Sequence, residues 1–176
     1  MVKKIGNSLM KGFWSKKKVL ITGHNGFKGS WLTLWLLSLG ANVYGFSLST
    51  LSTRALFNDF VNEGFDPNYF PGSLEDNNGN INNFKKLNAY VSEVNPDIVF
   101  HLAAQPLVRE SYRDPITTWK TNVLGTLNLL ESLKELEKNC AAILISTDKV
   151  YKNNEWVYGY REVDDLGGDD PYSASK

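Results

Sequence analysis

Two side chains near the end of the sequence, Tyr172 and Lys176, stand four positions apart in Pro171-Tyr172-Ser173-Ala174-Ser175-Lys176. On a helix that spacing puts both on one face. An ammonium beside a phenol favours the phenolate, so the pair would make a tyrosine usable as a base near neutral pH. The Y-x-x-x-K spacing alone is common, and plain surface packing is its ordinary meaning. It gains weight from Ser146-Thr147-Asp148-Lys149, which follows the apolar run 141–145. The second chemically suggestive stretch lies near the start, Gly23-His24-Asn25-Gly26-Phe27-Lys28-Gly29. Three glycines between a strand and a helix suit a dinucleotide: one makes the tight turn, one lets the backbone approach pyrophosphate, one allows close helix–strand packing. The helix behind them offers free N–H groups and a positive dipole end to the phosphates. The spacing is G-x-x-G-x-x-G, not the commoner G-x-G-x-x-G, and a plain strand-to-helix turn is the alternative.

These groups need a frame, and the rest of the sequence supplies one. Residues 19–22 read as a short buried strand, followed by an apolar helix carrying Trp31, Leu32, Trp35, Leu36 and Leu39, with Gly40 where a helix C-terminal glycine belongs. Residues 42–48 read as a second strand. It ends in Phe46-Ser47-Leu48-Ser49, without the carboxylate that in many NAD-binding domains holds the adenosine ribose. Arg54 could meet a 2′-phosphate or simply open a surface helix. Residues 53–63 are a short helical candidate with Leu56, Phe57, Phe60 and Val61 on one side. A weak strand at 69–74 and a polar, asparagine-rich loop at 75–80 follow. Ile81, Phe84, Leu87, Val91 and Val94 recur at helical spacing up to Pro96, and 97–102 is a clear buried strand. Asp114 and Pro115 open a long helix with an expected core face of Trp119, Val123, Leu127, Leu130 and Leu133. Residues 141–145 make the fifth strand. Residues 1–15, with Ile5, Leu9, Phe13 and Trp14, are expected to form an arm across one end of the sheet.

Strands alternating with helices imply an α/β fold, a Rossmann-type doubly wound parallel sheet. Right-handed crossovers give strand order 3-2-1-4-5 with the ligand crevice between strands 1 and 4. Gly23 to Gly29, Leu102 to Gln105 and Ser146 to Lys149 then surround one cleft. The 176 residues fit one domain with one core. Nineteen basic and nineteen acidic residues leave no net charge, so nothing points to nucleic acid or an anionic membrane. Lys16-Lys17-Lys18 reads as a solvated flank. The single cysteine, Cys140, rules out an internal disulfide, suits a reducing compartment and reads as a buried small hydrophobe. No run reaches the length of a membrane span and no signal-peptide core is present, so a soluble, cytoplasmic protein is expected. His101, between Phe100 and Leu102, reads as a hydrogen-bonded core histidine; His24 matters through its backbone. Two histidines and one cysteine exclude a credible metal site.

The segments TGHNGFKGSWLTLWL, PDIVFHLAAQPLVRESYRDP, TNVLGT, STDKVYKN with EWVYGYRE, and DPYSASK resemble the N-terminal half of the extended short-chain dehydrogenases/reductases. Within that superfamily they resemble the CDP-glucose 4,6-dehydratases, over nearly the whole chain. The resemblance implies NAD as cofactor, held by Gly23, Gly26, Phe27, Gly29, Leu102, Ala103, Ala104, Tyr172 and Lys176. It implies that Tyr172, assisted by Lys176 and Thr147, takes the proton of the sugar 4-hydroxyl during oxidation at C4. Asp148 is then the general acid toward the 6-hydroxyl and Lys149 the base toward C5, with Gln105 contacting CDP-glucose. The implied product is CDP-4-keto-6-deoxyglucose, of use in deoxysugar and lipopolysaccharide O-antigen biosynthesis, and the implied complete enzyme is a homodimer. Ser73 and Leu74 are expected where relatives place an Asp-Ile pair against adenine. Residues 1–176 then form an incomplete NAD-binding domain lacking the C-terminal substrate-binding part, whether as truncated product, split half or partial record. A nucleotide-sugar 4-epimerase, needing Tyr172 and Lys176 but no elimination pair, and a non-catalytic dinucleotide-binding remnant are the alternatives.

Overall fold

The computed structural model describes residues 12–49, 56–64, 66 and 68–176. Five parallel strands make one sheet: β1 (Lys18–Thr22), β2 (Asn42–Ser47), β3 (Ser73–Asn78), β4 (Ile98–His101) and β5 (Ala141–Leu144). Their order is 3-2-1-4-5, as the alternating pattern predicts. Alternate residues of β1 serve the two faces. Leu20 joins a cluster with Phe46, Leu87, Tyr90, Val91, Val99 and Leu129. Val19 and Ile21 join the opposite cluster with Leu36, Leu37, Ala41 and Val43. The sheet thus lies between α1 (Phe27–Ser38) on one side and α3 (Phe84–Val94) with α6 (Gly125–Lys134) on the other.

Local chemistry fixes the element ends. Gly40, at φ +85°, closes α1: its N–H donates to Leu37 C=O at 3.0 Å and that of Ala41 to Leu36 C=O at 3.1 Å, a Schellman pair. Asn83 caps α3 by accepting from the Lys86 N–H, and Asn95 ends it in the left-handed region, one residue before Pro96. Asp114 caps α5 (Pro115–Trp119) by accepting from the Thr117 N–H at 2.9 Å, with Pro115 in the first turn as expected. Further helices are α2 (Leu56–Glu63), α4 (Val108–Arg113) and the single-turn α7 (Pro171–Ala174).

Three expectations are corrected. The third strand is not at 69–74; the polar stretch taken for a loop is itself the strand, Ser73–Asn78, paired from Asn42↔Ser73 to Ser47↔Asn78. It is an edge strand whose side chains mostly face water, so a backbone ladder rather than apolar side chains sets its place. The long helix after Asp114 is broken by a π turn, Lys120–Leu124, between α5 and α6. Its buried side is Thr118, Asn122, Gly125, Leu129 and Ser132, and of the expected face Leu133 does pack against the core, while Trp119, Leu127 and Leu130 are exposed. A Cβ at Gly125 would come 2.5 Å from Ile81 Cδ1, so the bare glycine sets how closely this helix lies on the core. On α1, Trp31 and Trp35 are likewise exposed, and Gly29, Ser30, Thr33, Leu36 and Leu37 face inward.

Of the N-terminal arm, residues 1–11 lie outside the described residues, as does Arg54; Trp14 packs beside Phe100 at 6.3 Å between ring centres. The two sheet edges differ: β3 carries Glu75 and Asp76, whereas all four apolar residues of β5 are exposed.

Candidate active site

The turn after β1 gives its three glycines three different surroundings. Gly23 sits at φ +73°, and a Cβ there would stand 2.8 Å from Ala103 N. At Gly29 a Cβ would overlap the Gly23 carbonyl oxygen and stand 2.8 Å from the His24 backbone. Gly26 is exposed, has ordinary extended dihedrals and would meet only the Gly23 oxygen at 3.3 Å. One glycine therefore makes the turn, one packs helix on turn, and the third leaves bare backbone in front of a twelve-residue helix. That division of labour fits a pyrophosphate. Phe27, the first residue of α1, is 82% exposed beside it.

β4 delivers the second wall. Leu102, Ala103 and Ala104 are partly buried at its carboxyl end, with Leu102 N–H bonded to Thr22 C=O at 3.0 Å. The Gln105 side chain is engaged within its own loop and α5: Oε1 accepts from Leu107 N–H, and Nε2 donates to Leu107 C=O at 3.1 Å and Thr118 Oγ at 2.9 Å. Asn122, in the π turn, clamps the same residue from below. Its Oδ1 accepts from Gln105 N–H at 2.8 Å, and its Nδ2 donates to Gln105 C=O at 3.1 Å and to Ser175 Oγ at 2.8 Å. Sequence reasoning assigned Asn122 no role. Its one signal in the sequence is its place in the TNVLGT segment.

β5 delivers the third wall. Thr147 caps a short 3₁₀ turn, Asp148–Val150, and its hydroxyl donates to Asp148 Oδ1 at 3.1 Å. Asp148 and Lys149 are exposed, and the turn packs against α7. Burial opposes ionisation of Asp170, yet hydrogen bonds from Ser173 and the nearby charge of Lys149 hold its carboxyl below the usual range. Asp170 caps α7, whose one turn carries the half-buried Tyr172. Lys176 lies beyond α7, so the two do not share a regular helix face. Its ammonium donates to Ile145 C=O at 2.8 Å and burial lowers its pKa, while its own carbonyl accepts from Ser146 Oγ at 3.2 Å. Between turn and α7 a strap folds on itself through a Tyr151–Leu166 bridge, with Tyr151 and Tyr160 stacked 5.2 Å apart.

The outer end of the cleft also departs from expectation. Ser73 and Leu74 open β3 at its amino end, so they lie at the sheet edge opposite the glycine turn. At the carboxyl end of β3 the chain carries Asn78, Gly79 and Asn80 instead. A cavity of about 200 Å³ lined by Asn25, Ser47, Ser49, Asp76 and Asn78 lies beside the end of β2. His24 contributes more than backbone. Fully buried, its Nδ1 is 3.0 Å from Ser47 Oγ and its Nε2 2.9 Å from Asp76 Oδ1. Burial lowers its pKa against the opposing pull of Asp76. Among the described residues no cluster of potential metal ligands occurs, and no helix is long and apolar enough to cross a membrane.

Residues 20–176 match the family described as GDP-mannose 4,6 dehydratase. A CDP-glucose 4,6-dehydratase of Salmonella typhimurium is 47% identical over 171 residues, covering 94% of this chain and 44% of that protein. Among solved structures, MoeE5 in complex with UDP-glucuronic acid and NAD is 29% identical with a TM-score of 0.71, covering 89% of this chain and 45% of that one. A UDP-glucose 4-epimerase of Stenotrophomonas maltophila with bound NAD shares the fold at a TM-score of 0.76 and 22% identity, over 91% and 45%. The chain spans about half the length of the curated relatives it matches.

Proposed function

This chain belongs to the GDP-mannose 4,6 dehydratase family, and from that premise we propose that it carries the cofactor-binding part and catalytic groups of an NAD-dependent CDP-glucose 4,6-dehydratase. The observation that carries the reading is that the glycine turn, the end of β4, and a Thr147-Asp148-Lys149 turn packed against the Tyr172 segment follow the carboxyl ends of the neighbouring strands β1, β4 and β5. Identity of 47% to a CDP-glucose enzyme supports the choice of sugar nucleotide.

Gly23, Gly26, Phe27 and Gly29, with Leu102, Ala103, Ala104, Tyr172 and Lys176, would hold NAD. When bound, NAD supplies the acceptor for the C4 hydride and its donor back to C6. Tyr172 takes the 4-hydroxyl proton, assisted by Lys176 and Thr147. The resulting 4-ketone acidifies C5–H, and Lys149 removes that proton. Asp148 protonates the 6-hydroxyl, which leaves as water. Gln105 steadies the β4 loop that faces the sugar. The family resemblance makes NAD the expected coenzyme over NADP, but only by a modest margin, because Ser47 and Ser49 stand where the carboxylate that favours NAD is usual.

Calorimetric titration of NAD and NADP into the chain tests the first half of this reading. Tighter NAD binding is expected; NADP tighter by tenfold, about 1.4 kcal/mol, would overturn the coenzyme choice. Joining residues 1–176 to the C-terminal half of the Salmonella relative tests the second half. Release of a 4-keto-6-deoxy product from CDP-glucose is expected, and return of the 4-epimer alone would instead mark an epimerase.

A further inference from the structure

Beneath the cleft, five groups form one continuous file of hydrogen bonds. Ala103 N–H approaches Thr22 Oγ at 3.3 Å, and Thr22 Oγ lies 2.6 Å from His101 Nδ1. His101 Nε2 lies 2.9 Å from Thr126 Oγ, and Thr126 Oγ lies 2.6 Å from the Asn122 carbonyl oxygen. The carbonyl end of the file decides where the imidazole carries its proton, and the other end is compatible with that choice. A carbonyl oxygen only accepts, so the Thr126 hydroxyl donates to Asn122 and is left to accept from the imidazole. A backbone N–H only donates, so Thr22 Oγ accepts from Ala103 and its own proton is free for Nδ1. His101 must then bear its proton on Nε2 and none on Nδ1. With the other tautomer the single Thr126 proton could serve only one of its two close neighbours, leaving either the carbonyl contact or the Nε2 contact without a proton.

We propose that His101 is a positioning residue, locked as the neutral Nε2–H tautomer, which couples the cofactor face of β4 to the π turn that holds the Tyr172–Lys176 segment. The coupling is physical at both ends. At one end Ala103 abuts Gly23, where there is no space for a Cβ. At the other end Asn122, whose carbonyl terminates the file, grips Gln105 and Ser175 through its side chain. His101 is only 3% exposed, and burial, with the charge of Lys176 adding to it, brings its pKa down to about 4. A neutral ring at working pH is consistent with the file. The proposal rests on the dinucleotide reading of the glycine turn.

Long-range proton–nitrogen spectra of the chain labelled with ¹⁵N-histidine read the tautomer directly, with His101→Gln assigning the signals. At pH 7 a protonated Nε2 and a bare Nδ1 are expected at His101. A protonated Nδ1 overturns the proposal. Thr126→Val removes the acceptor of Nε2–H. It should shift the His101 signals and weaken calorimetric NAD binding by about five- to tenfold, the low end of couplings between linked sites. Thr126→Ser, which keeps the hydroxyl, should restore both. Unchanged NAD affinity in a folded Thr126→Val chain refutes the coupling. A parent chain that takes up no NAD overturns the dinucleotide reading and the positioning role with it, whatever tautomer is observed, so the two failures are distinguished.

Discussion

Gly26 and Gly29 belong to one motif, yet the structure assigns them separable jobs, and alanine at each should separate them. At Gly29 the added methyl meets backbone on two sides, the Gly23 carbonyl and His24, so no side-chain rotation relieves it. Overpacking of this kind costs about 1–3 kcal/mol, with backbone obstacles at the upper end. Alanine's better helix propensity at this third residue of α1 returns up to about 1 kcal/mol. A net loss of about 2 kcal/mol follows, which at a urea slope of about 2 kcal/mol per molar lowers the unfolding midpoint by about 1 M. Gly26→Ala should behave differently. Its φ of −73° suits any residue and its nearest neighbour is 3.3 Å away, so its midpoint should move by less than about 0.3 M. Its methyl nevertheless occupies the bare backbone offered to phosphate, so NAD affinity should fall at least about tenfold. Urea unfolding followed by circular dichroism, alongside calorimetry with NAD, measures both. A parental midpoint for Gly29→Ala, or parental NAD affinity for Gly26→Ala, would refute this division.

In the chain joined to the C-terminal half of the Salmonella relative, Lys149→Met should still reduce NAD with CDP-glucose but admit no solvent deuterium at C5. Asp148→Asn should exchange C5 yet lose water about 10²–10⁴-fold more slowly, and Tyr172→Phe should stop coenzyme reduction; parental C5 exchange in Lys149→Met excludes it as the base. Residues 1–176 alone should give no measurable 4-keto product from CDP-glucose and NAD, because one helical turn does not hold Tyr172 in attack geometry. Steady turnover would contradict that. The folded state holds His101 near pKa 4 against 6.5 unfolded, so between those values the unfolded chain binds more protons and stability must rise with pH. The window amounts to about 3 kcal/mol for this group, and urea midpoints measured from pH 7 to pH 4.5 should slope less steeply in His101→Gln; an unchanged slope would show that another group governs it.

The strands that form the centre of the sheet were legible because parallel strands buried on both faces read as near-continuous apolar runs, as Val19 to Ile21 and Ile98 to Phe100 do. Asp114 and Gly40 were legible because caps act locally. The third strand was not, since Glu75, Asp76 and Asn77 take their conformation from pairing with β2. The face of α5 and α6 was misread for a related reason. Thr118, Thr126 and Ser132 each donate to the carbonyl four residues back, which satisfies their hydroxyls and lets small polar groups turn inward around Leu129. Apolar periodicity then marks the outward side. In the site, the glycine turn announced itself through spacing, whereas Asn122 did not. Its partners at 105 and 175 are distant in sequence, and only the fold brings them to one amide.

The unlike edges of the sheet bear on how the chain behaves in company. Charged side chains on β3 repel an approaching strand, the usual protection of an edge. Ile143 and Leu144 of β5 are 37% and 43% exposed, so residues 1–176 expressed on their own present that strand without such protection. Such a strand is a template for another of its kind. Pairing of two such edges is bimolecular, so crowding copies together promotes clumping in a way that warming a dilute sample does not, and a single lysine in place of Ile143 would act as a gatekeeper against it.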